Sequence, residues 1–439
     1  MSEPVRADVL VAGGGMAGAI AALAAAEEGA RVVLVRRAPG ASALSSGAIG
    51  VAPDVGAAPR EPFRSRRGPL DAARRLAARQ LDHPYALLGD GLEALDAALA
   101  FASRALAEVL APFDGRARFL ATPCGGVIEC ALCQRTMAPG DLAGLGPALG
   151  PDDGPVAAIG FRGHLAWDAR LVAHGVTRAA PAGAPPAAWA EADLPARAED
   201  AIARPHELAR ALEPVGAAEE AGARIRAAAP AGTRLVLLPP VLGLDPRARV
   251  AERIADAAGF AVAETVGDPP SVPGLRLDAA LMGALARAGV QVIHGALDGA
   301  RGPGEQVRAG DREVLAGSWV LATGRFVGGG IVRRGALSEA LLGLPVQASE
   351  GGASGFHLAR RPAATLTVRE RRAPQPLLAA GLRVDSQLHP LDLAGAPAHP
   401  WLFAAGAVIG GHEHADDGTG LGVAILTGWL AGRAAARRV

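Results

Sequence analysis

Cysteine, net charge and strongly hydrophobic segments are all scarce in this chain of 439 residues. Its three cysteines are too few for a disulfide scaffold and are typical of a protein from a reducing compartment. The 44 basic and 44 acidic side chains balance, which argues against a nucleic-acid-binding surface and against a polybasic membrane patch. We therefore expect a cytoplasmic protein with no nucleic-acid partner.

The run Val9–Ala26, which has no charged or polar side chain, does not predict a membrane span, because it consists mostly of alanine and glycine. Glu3, Arg6 and Asp8 precede it, so it also lacks the basic start of a signal peptide. No lipidation motif is present. We expect contact with the inner face of the cell membrane only through a partner protein.

What the chain does contain is apolar material for a large core, with strands and helices alternating towards both ends. Val5–Ala12 and Arg31–Val35 predict strands and Met16–Glu28 predicts the helix between them, which makes a parallel βαβ unit. The pattern also predicts strands at Leu235–Leu238, Val290–His294, Ser318–Ala322 and Trp401–Ala405, and helices at Asp90–Leu110, Arg247–Ala258 and Leu277–Ala288. This alternation favours an α/β fold with a largely parallel sheet.

The middle third of the chain does not continue the alternation cleanly, which suggests an insertion. Within it, Ala179–Arg197 is rich in proline and lacks periodicity, so it predicts a loop. We predict a Rossmann-like flavin-binding domain with an inserted second α+β domain. The first comprises residues 1–69, 274–330 and 396–439, and the second comprises residues 70–273 and a return segment, 331–395.

A glycine motif follows the first predicted strand and opens the first predicted helix. Gly13-Gly14-Gly15-Met16-Ala17-Gly18 has the spacing G-x-G-x-x-G. The first glycine allows a tight turn, the second lets the backbone approach a pyrophosphate, and the third allows close packing of strand and helix. The helix N-terminus offers free N–H groups to phosphates. The motif predicts a dinucleotide or flavin site.

The second strand does not end in the acidic residue that commonly binds the adenosine ribose. It runs into Arg36-Arg37 instead. Either the ribose is held in another way, with an arginine that stacks or contacts a phosphate, or the ligand lacks the adenosine half, as FMN does. The cofactor is therefore FAD or FMN.

A second glycine-rich segment lies near the C-terminus. Phe403–Val408 is followed by Gly418-Thr419-Gly420-Leu421-Gly422 and an alanine-rich helix, and Leu321–Gly324 brings a third strand end to the same edge. A helix N-terminus at this place can stabilise negative charge on a reduced isoalloxazine ring. We expect Gly418–Gly422 to lie against the flavin.

Several segments in addition to the glycine loop carry a family resemblance. They are Ser45-Ser46-Gly47, His83-Pro84-Tyr85, Leu87-Leu88-Gly89, Pro270–Gly274, Ala322–Phe326, Gly328–Ile331 and Phe403–Gly411. In this order they resemble the B-subunit family of anaerobic glycerol-3-phosphate dehydrogenase, a branch of the fumarate reductase/succinate dehydrogenase-type flavoproteins. The resemblance spans almost the whole chain, although Cys124–Cys133 and His412-Glu413-His414 depart from it.

The resemblance implies a flavoprotein subunit of a three-subunit complex that oxidises glycerol 3-phosphate to dihydroxyacetone phosphate and sends electrons to quinone. It also implies two partners, a catalytic FAD subunit and an iron–sulfur subunit, with the former the main site of substrate oxidation. Two alternatives remain open at this point. One is a stand-alone FAD-dependent oxidoreductase of fumarate-reductase type acting on another small acid, and the other is a scaffold subunit without redox-active flavin.

The candidate site residues lie at the predicted strand ends and in the glycine-rich turns. For binding the cofactor they are Gly13, Gly14, Gly15, Met16, Ala17, Gly18, Arg36, Arg37, Ser45, Ser46, Gly47, Thr323, Gly324, Gly406, Gly418, Thr419, Gly420, Leu421 and Gly422. For catalysis they are Arg325, which suits an anionic substrate, and His412 and His414, which suit proton handling.

Other chemistry-bearing residues do not complete a site. Cys130 and Cys133 form C-x-x-C near Cys124, but a four-thiolate cluster needs one more cysteine, so we interpret them as ordinary buried residues. His83 precedes a proline and is interpreted chiefly as a turn residue, with a substrate role as the alternative. We predict no metal site.

Overall fold

The computed structural model describes residues 3–52, 68–145, 156–180, 185–194, 204–299, 305–348, 355–370, 375–413 and 417–439, together with residues 302 and 373. Its strands are β1 Val5–Ala12, β2 Val32–Arg36, β3 Arg118–Ala121, β4 Val127–Cys130, β5 Val156–Phe161, β6 Ala188–Ala192, β7 Leu235–Leu238, β8 Ala261–Glu264, β9 Gln291–His294, β10 Leu297–Asp298, β11 Val307–Ala309, β12 Arg312–Leu321, β13 Ile331–Arg334, β14 Ala336–Glu339, β15 Val346–Gln347, β16 Gly381–Leu382 and β17 Leu402–Ala404. Its α-helices are α1 Met16–Glu27, α2 Pro69–Arg79, α3 Pro84–Leu87, α4 Leu95–Ala105, α5 Leu142–Leu145, α6 Ala169–Ala179, α7 Pro205–Ala211, α8 Ala217–Ala228, α9 Val250–Ala258, α10 Val272–Arg287, α11 Gly355–Leu358 and α12 Gly420–Arg437.

The larger sheet has the strand order β10-β11-β12-β1-β2-β9, with β17 also paired to β12. β1 lies between β12 and β2 and is parallel to both, with Ala12 opposite Leu321 on one side and Val35 on the other. β9 and β17 are parallel as well. The carboxyl ends of β1, β2, β12 and β17 therefore meet at one edge of the sheet, which we call the site edge.

Helices α1 and α12 pack closely on each other because glycines remove side chains from the contact. A Cβ atom at Gly428 would lie 2.5 Å from the carbonyl oxygen of Ala17, and one at Gly432 would lie 2.1 Å from that of Ala21. Both contacts advance by four residues in the same direction, so the two helices run in the same sense. Gly428 is level with Ala17, and α12 begins eight residues before Gly428. The first residue of α12 therefore extends about 12 Å past Ala17 on the N-terminal side, beyond the glycine loop.

A second sheet, with the order β6-β5-β7-β8, is parallel throughout, whereas β11 of the larger sheet is antiparallel to both β10 and β12. Helices α6, α8 and α9 pack against it, so this region continues the strand–helix alternation that was expected to break here. The loop prediction for Ala179–Arg197 is wrong at Ala188–Ala192, which forms β6. β6 is an edge strand with a mostly half-buried or exposed pattern, and such a strand lacks a continuous apolar run.

The apolar side chains form separate cores for the two sheets. Val236 and Ile254 belong to a core of the second sheet, whereas Leu95 and Leu99 of α4 pack into the core of the larger sheet. Ile331 and the neighbouring small hairpins also join the larger core. The domain boundaries themselves stay a prediction.

Most of the other helices and strands predicted from the sequence are present in the structure. The helix predicted at Asp90–Leu110 begins as a 3₁₀ turn, Gly89–Ala94, before α4. The strand predicted at Ser318–Ala322 is longer than expected, because β12 begins at Arg312 in a polar, partly exposed stretch. No helix in the described ranges is both long enough and apolar enough to cross a membrane.

Candidate cofactor site

The glycine loop joins β1 to α1 at the site edge. Gly13 has φ +116°, and a Cβ atom there would lie 2.2 Å from the carbonyl oxygen of Ala322 at the end of β12. A Cβ atom at Gly18 would lie 1.9 Å from the carbonyl oxygen of Gly13. Both glycines are therefore required by backbone contacts inside the protein, whether or not a ligand is bound.

Gly15 differs, because the space beside it is not filled by nearby protein atoms. A Cβ atom there would meet only Ser42 Oγ at 3.6 Å and Gly40 Cα at 3.7 Å. Gly15 is the N-cap of α1, no side chain caps it, and the first turn of α1 contains no acidic residue. Uncapped N–H groups and the positive end of the helix dipole suit phosphate oxygens.

The segment 40–51 links this loop to the N-terminus of α12. Near its start, Gly40 packs on the backbone of Gly15. In its middle, the carbonyl oxygen of Ser45 accepts a hydrogen bond from Ser271 Oγ, at the N-terminus of α10. At its end, the carbonyl oxygen of Gly50 accepts one from the N–H of Gly422. The two glycine-rich regions of the sequence are thus joined by one segment.

Four buried side-chain polar atoms around this edge have no hydrogen-bond partner among the described residues: Arg36 Nε, Ser42 Oγ, Ser45 Oγ and Thr323 Oγ1. A polar atom buried without a partner costs free energy, so such a cluster suggests a ligand that satisfies it. The uncapped helix, the space beside Gly15 and these four atoms fit a phosphate-bearing cofactor. Ser42 was not among the predicted residues, because no sequence motif marks it.

The C-terminal turn lies at the start of α12 and is held by residues 80–85. Gly418 has φ +65°, and Thr419 directly precedes the helix. Tyr85 is fully buried, and its hydroxyl, which lacks a partner in the described part of the chain, would lie 2.6 Å from a Cβ atom at Gly422. Burial also raises the pKa of Tyr85, so the hydroxyl keeps its proton.

His83 is a neutral imidazole in one defined tautomer. Its Nδ1 accepts a hydrogen bond from the N–H of Tyr85 at 3.1 Å, which leaves the proton on Nε2, 3.4 Å from Thr419 Oγ1. Burial lowers the pKa of His83 to about 3. His83 thus contacts Thr419, the residue directly before α12, and it lies at the start of the short helix α3, where a turn was predicted.

Arg325 is buried and donates to backbone carbonyl oxygens. Its Nε bonds to Ala407 at 3.1 Å, and its Nη2 bonds to Ile409 at 3.1 Å. Its Nη1 donates to Leu378 and, at 3.1 Å, to His412. Burial lowers the pKa of Arg325 to about 10. These contacts fix the loop that carries His412.

The catalytic candidates are thus only partly brought together. His412 is buried, and its ring lies edge-on to that of His83, with 5.5 Å between centroids. His414 lies outside the described residues. The assignment of Arg325, His412 and His414 to catalysis stays a prediction.

The last residue of β2, Arg36, and the residue that follows it, Arg37, have different surroundings. Arg36 is 4% exposed, packs on Gly14 and forms an ion pair with Asp278 of α10. Arg37 is exposed, and its Nη2 would lie 3.1 Å from a Cβ atom at Gly329. Asp278 was missed because an ion pair across 242 positions leaves no pattern in the sequence.

Gly406, Ser46 and Gly47 were also predicted to bind the cofactor, and their contacts differ. Gly406 follows β17, has φ +71°, and a Cβ atom there would lie 2.5 Å from the Cβ of Ala17. Ser46 uses its carbonyl oxygen to accept from the N–H of Gly267. Gly47 packs against Pro273 of α10. Gly406 therefore lies at the first turn of α1, whereas Ser46 and Gly47 lie against the segment before α10 and its first turn, and their role in binding the cofactor stays a prediction.

Cys130 and Cys133 belong to a small apolar cluster with Ala48 and Met137. Cys124 is exposed, and Cys130 and Cys133 are buried, all three as free thiols. A hydrogen bond with Cys133, together with burial, raises the pKa of Cys130. A raised pKa keeps the Cys130 thiol protonated and unreactive, in line with its interpretation as an ordinary buried residue.

Comparison of the sequence with known proteins identifies the family to which it is similar. The model of the FAD binding domain family matches residues 8–423 of the chain. A protein of Halobacterium salinarum, named as a probable B-subunit of anaerobic glycerol-3-phosphate dehydrogenase, is 32% identical over 99% of this chain and 99% of its own length. The B-subunit of the anaerobic glycerol-3-phosphate dehydrogenase of Pectobacterium atrosepticum is 29% identical over 96% of this chain and 97% of its own.

Among solved structures, the chain overlaps the 3-ketosteroid-Δ4-(5α)-dehydrogenase of Rhodococcus jostii RHA1. The overlap covers 99% of this chain and 98% of that one, with 15% identity and a TM-score of 0.42.

Proposed function

The chain belongs to the FAD binding domain family and to the B-subunit family of anaerobic glycerol-3-phosphate dehydrogenases, and we propose that it is the flavoprotein B-subunit of such an enzyme. It is an FAD-dependent oxidoreductase. In the proposed reaction, the complex oxidises glycerol 3-phosphate to dihydroxyacetone phosphate and passes the electrons to quinone. The observation that carries the proposal is the near full-length match to B-subunit relatives together with the phosphate-binding geometry at the site edge.

The glycine loop and α1 are the proposed pyrophosphate site. Gly15 leaves space for the phosphates, and the first N–H groups of α1 donate to their oxygens. Ser42 supplies a hydroxyl group at the border of the same space. Phosphate oxygens of the cofactor would then accept the hydrogen bonds for which these buried groups have no partner in the described part of the chain.

The flavin ring is proposed to lie at the C-terminal turn. When bound, FAD supplies the two-electron redox chemistry. Gly418 and Gly420 are proposed to lie beneath the flat ring, whereas Gly422 is already filled by contacts with Tyr85 and Gly50. The N-terminus of α12 lies beyond the glycine loop, where its dipole would favour negative charge on that ring. His83 holds Thr419 at this N-terminus, and its neutral state adds no positive charge there.

Arg325, His412 and His414 are the proposed residues nearest the substrate. Four of the five N–H groups of Arg325 donate to carbonyl oxygens in the described part of the chain, so one Nη2 N–H is left for an anionic substrate. The two histidines are proposed to handle the proton lost from a substrate hydroxyl.

Electron transfer to quinone is proposed to need the two partner subunits. The chain has three cysteines, one fewer than a single four-thiolate iron–sulfur cluster requires. We propose that a catalytic FAD subunit and an iron–sulfur subunit join it in a complex, and that any membrane contact goes through them.

The experiment compares quinone-analogue reduction by the purified chain and by the chain co-expressed with its partner subunits. Glycerol 3-phosphate should support little turnover with the chain alone and robust turnover with the complex. Robust quinone reduction by the chain alone would contradict the proposal and favour a stand-alone oxidoreductase.

A further inference from the structure

The turn after β12 carries two exposed apolar side chains beside the site edge. They are Phe326 and Val327, which are 38% and 75% exposed. After this turn, the N–H of Ile331, the first residue of β13, donates to the carbonyl oxygen of Arg325 at 3.3 Å. The hairpin of β13 and β14 therefore starts directly beside Arg325, which we propose to lie near the substrate.

Four exposed arginines lie close together on this hairpin and on the turn packed against it. Arg333-Arg334 ends β13, which pairs with Leu337 of β14. The N–H of Leu337 donates to the carbonyl oxygen of Ala359 at 3.0 Å, and Arg360-Arg361 follows directly. Because backbone segments joined in this way lie about 5 Å apart, two such steps, or about 10 Å, separate the two arginine pairs.

These four arginines have no counter-charge among the described residues around them. Between residues 331 and 369, the acidic side chain in the described ranges is Glu339, which is 1% exposed and accepts hydrogen bonds from the N–H groups of Leu341 and Leu342. Other surface arginines have a partner, as Arg308 has in Asp298. Four unpaired like charges at one place repel one another, and an acidic surface on a second protein would relieve that repulsion.

We propose that these residues form a docking face for an acidic surface of the electron-accepting partner subunit. We call it the arginine face, and it consists of Phe326, Val327, Arg333, Arg334, Arg360 and Arg361. This inference rests on the proposed function, in which electrons leave the chain through a partner. Protein interfaces are enriched in aromatic residues and arginine, and a guanidinium binds a carboxylate through two hydrogen bonds.

The position of the arginine face fits a partner that accepts electrons. β12 ends at the site edge, and the arginine face begins in the turn that follows β12. A subunit docked there lies next to the edge at which we propose the flavin. The charged part of the face then attracts and orients the partner, and the apolar part is covered when the two proteins are in contact.

The test measures the dissociation constant between the flavin-loaded full chain and its purified partner subunits at about 50 and about 200 mM salt. The face variant is Arg333→Gln/Arg334→Gln/Arg360→Gln/Arg361→Gln. It should bind the partners about tenfold or more weakly at low salt, and by a smaller factor at high salt, because salt screens the attraction.

The matched control removes four exposed arginines from the region of the second sheet. None of them forms an ion pair in the described part of the chain, and the variant is Arg178→Gln/Arg210→Gln/Arg226→Gln/Arg247→Gln. Its affinity for the partners should change by less than about twofold, because its net charge falls equally but outside the arginine face. Both variants should fold and retain flavin, as judged by circular dichroism and flavin absorbance.

The apolar part of the arginine face is tested separately. Val327→Asp places an acid where an acidic partner is proposed, so binding should weaken about tenfold. Val215→Asp, at a residue that is 100% exposed near the second sheet, is its control and should leave the affinity unchanged.

Wild-type affinity in the face variant, or equal weakening in the face and control variants, would overturn the docking face. A face variant that still binds the partners but loses binding to phosphatidylglycerol vesicles would also overturn it, because the face would then contact a membrane. A wild-type chain that carries flavin but forms no complex with the partners would overturn the proposed function, and this inference with it.

Discussion

The larger, mixed sheet of this protein and the smaller, all-parallel sheet both bring the ends of parallel strands together, but those ends differ. In the larger sheet, β1, β12 and β17 are followed by glycine-rich turns, and unpartnered polar atoms surround them. In the smaller sheet, β7 is followed by Pro239-Pro240, and β8 ends in Glu264, whose oxygens are taken by protein groups. Among described residues 156–264, no buried side-chain polar atom lacks a partner.

This difference shows that topology alone does not create a binding site. A parallel sheet places strand ends together, but a ligand binds only where those ends expose N–H groups and leave space. The smaller sheet uses its strand ends for internal contacts, so we assign it no cofactor. The following changes test that separation, beginning with the largest effect.

Breaking the buried pair at the smaller sheet should destabilise the protein without affecting FAD. Arg276→Met leaves the Glu264 carboxylate buried without its counter-charge, which should lower the free energy of unfolding by about 3–5 kcal/mol. The double variant Arg276→Met/Glu264→Leu should recover much of this loss. Urea unfolding measures stability, and flavin fluorescence measures FAD affinity. A folded Arg276→Met protein with more than tenfold weaker FAD binding would contradict the separation.

Filling the space beside Gly15 should weaken FAD binding without destabilising the protein. Gly15→Val meets no protein atom closer than 3.6 Å at its Cβ, so the chain should fold, but the side chain would occupy the phosphate site. FAD affinity should fall by at least about a hundredfold, or ~2.8 kcal/mol. Gly91→Val, whose Cβ contacts begin at 3.5 Å, is the matched control away from the site. Full FAD occupancy in folded Gly15→Val would refute the assignment.

The buried imidazole at the start of α12 should make stability depend on pH. The pKa of His83 is about 3 in the folded protein and ordinarily 6.5, so between these values only the unfolded chain binds the proton. The stabilisation of the folded protein that comes from this pKa difference is fully present above pH 6.5 and is lost as the pH falls towards 3. It should amount to about 2 kcal/mol between pH 7 and pH 5.

His83→Asn supplies the comparison for this effect, because its amide oxygen can still accept from the N–H of Tyr85 but does not titrate. The free energy of unfolding is measured by urea titration at pH 7 and pH 5 for both proteins. The variant should lose about 2 kcal/mol less than the wild type. Equal losses would show that His83 is not held neutral.

Substitution at the C-terminal turn should have the smallest effect. Gly420→Val places a branched side chain at the first residue of α12, where we propose the flavin ring. FAD should bind about tenfold more weakly, or with a lower midpoint potential, because the helix N-terminus is kept from the ring. Spectroelectrochemistry measures the potential. Unchanged affinity and potential would identify Gly418–Gly422 as a turn that only reverses the chain.

The sequence predicted what depends on local pattern. β1 and β7 have the predicted bounds, and the glycine loop lies between β1 and α1 as expected. β6 was missed because its flanking prolines and half-exposed alanines resemble a loop. Hydrophobic period alone cannot identify such an edge strand.

The part of the site that was not predicted depends on contacts between distant residues. Asp278 lies in the middle of α10 without a motif, and only the packing of α10 beside β2 brings it to Arg36. Ser42 and Tyr85 likewise gain their significance from the atoms that surround them in the fold. A motif marks where a backbone must approach a ligand, but charge pairs at such a place appear only in three dimensions.

The most direct test of the proposed cofactor site is the identity and amount of flavin released when the purified chain is denatured, measured by chromatography. The site at the edge of the larger sheet predicts FAD at one molecule per chain. Release of FMN would contradict the assignment of FAD, and a purified, folded chain that neither carries nor takes up flavin would contradict the cofactor site as a whole.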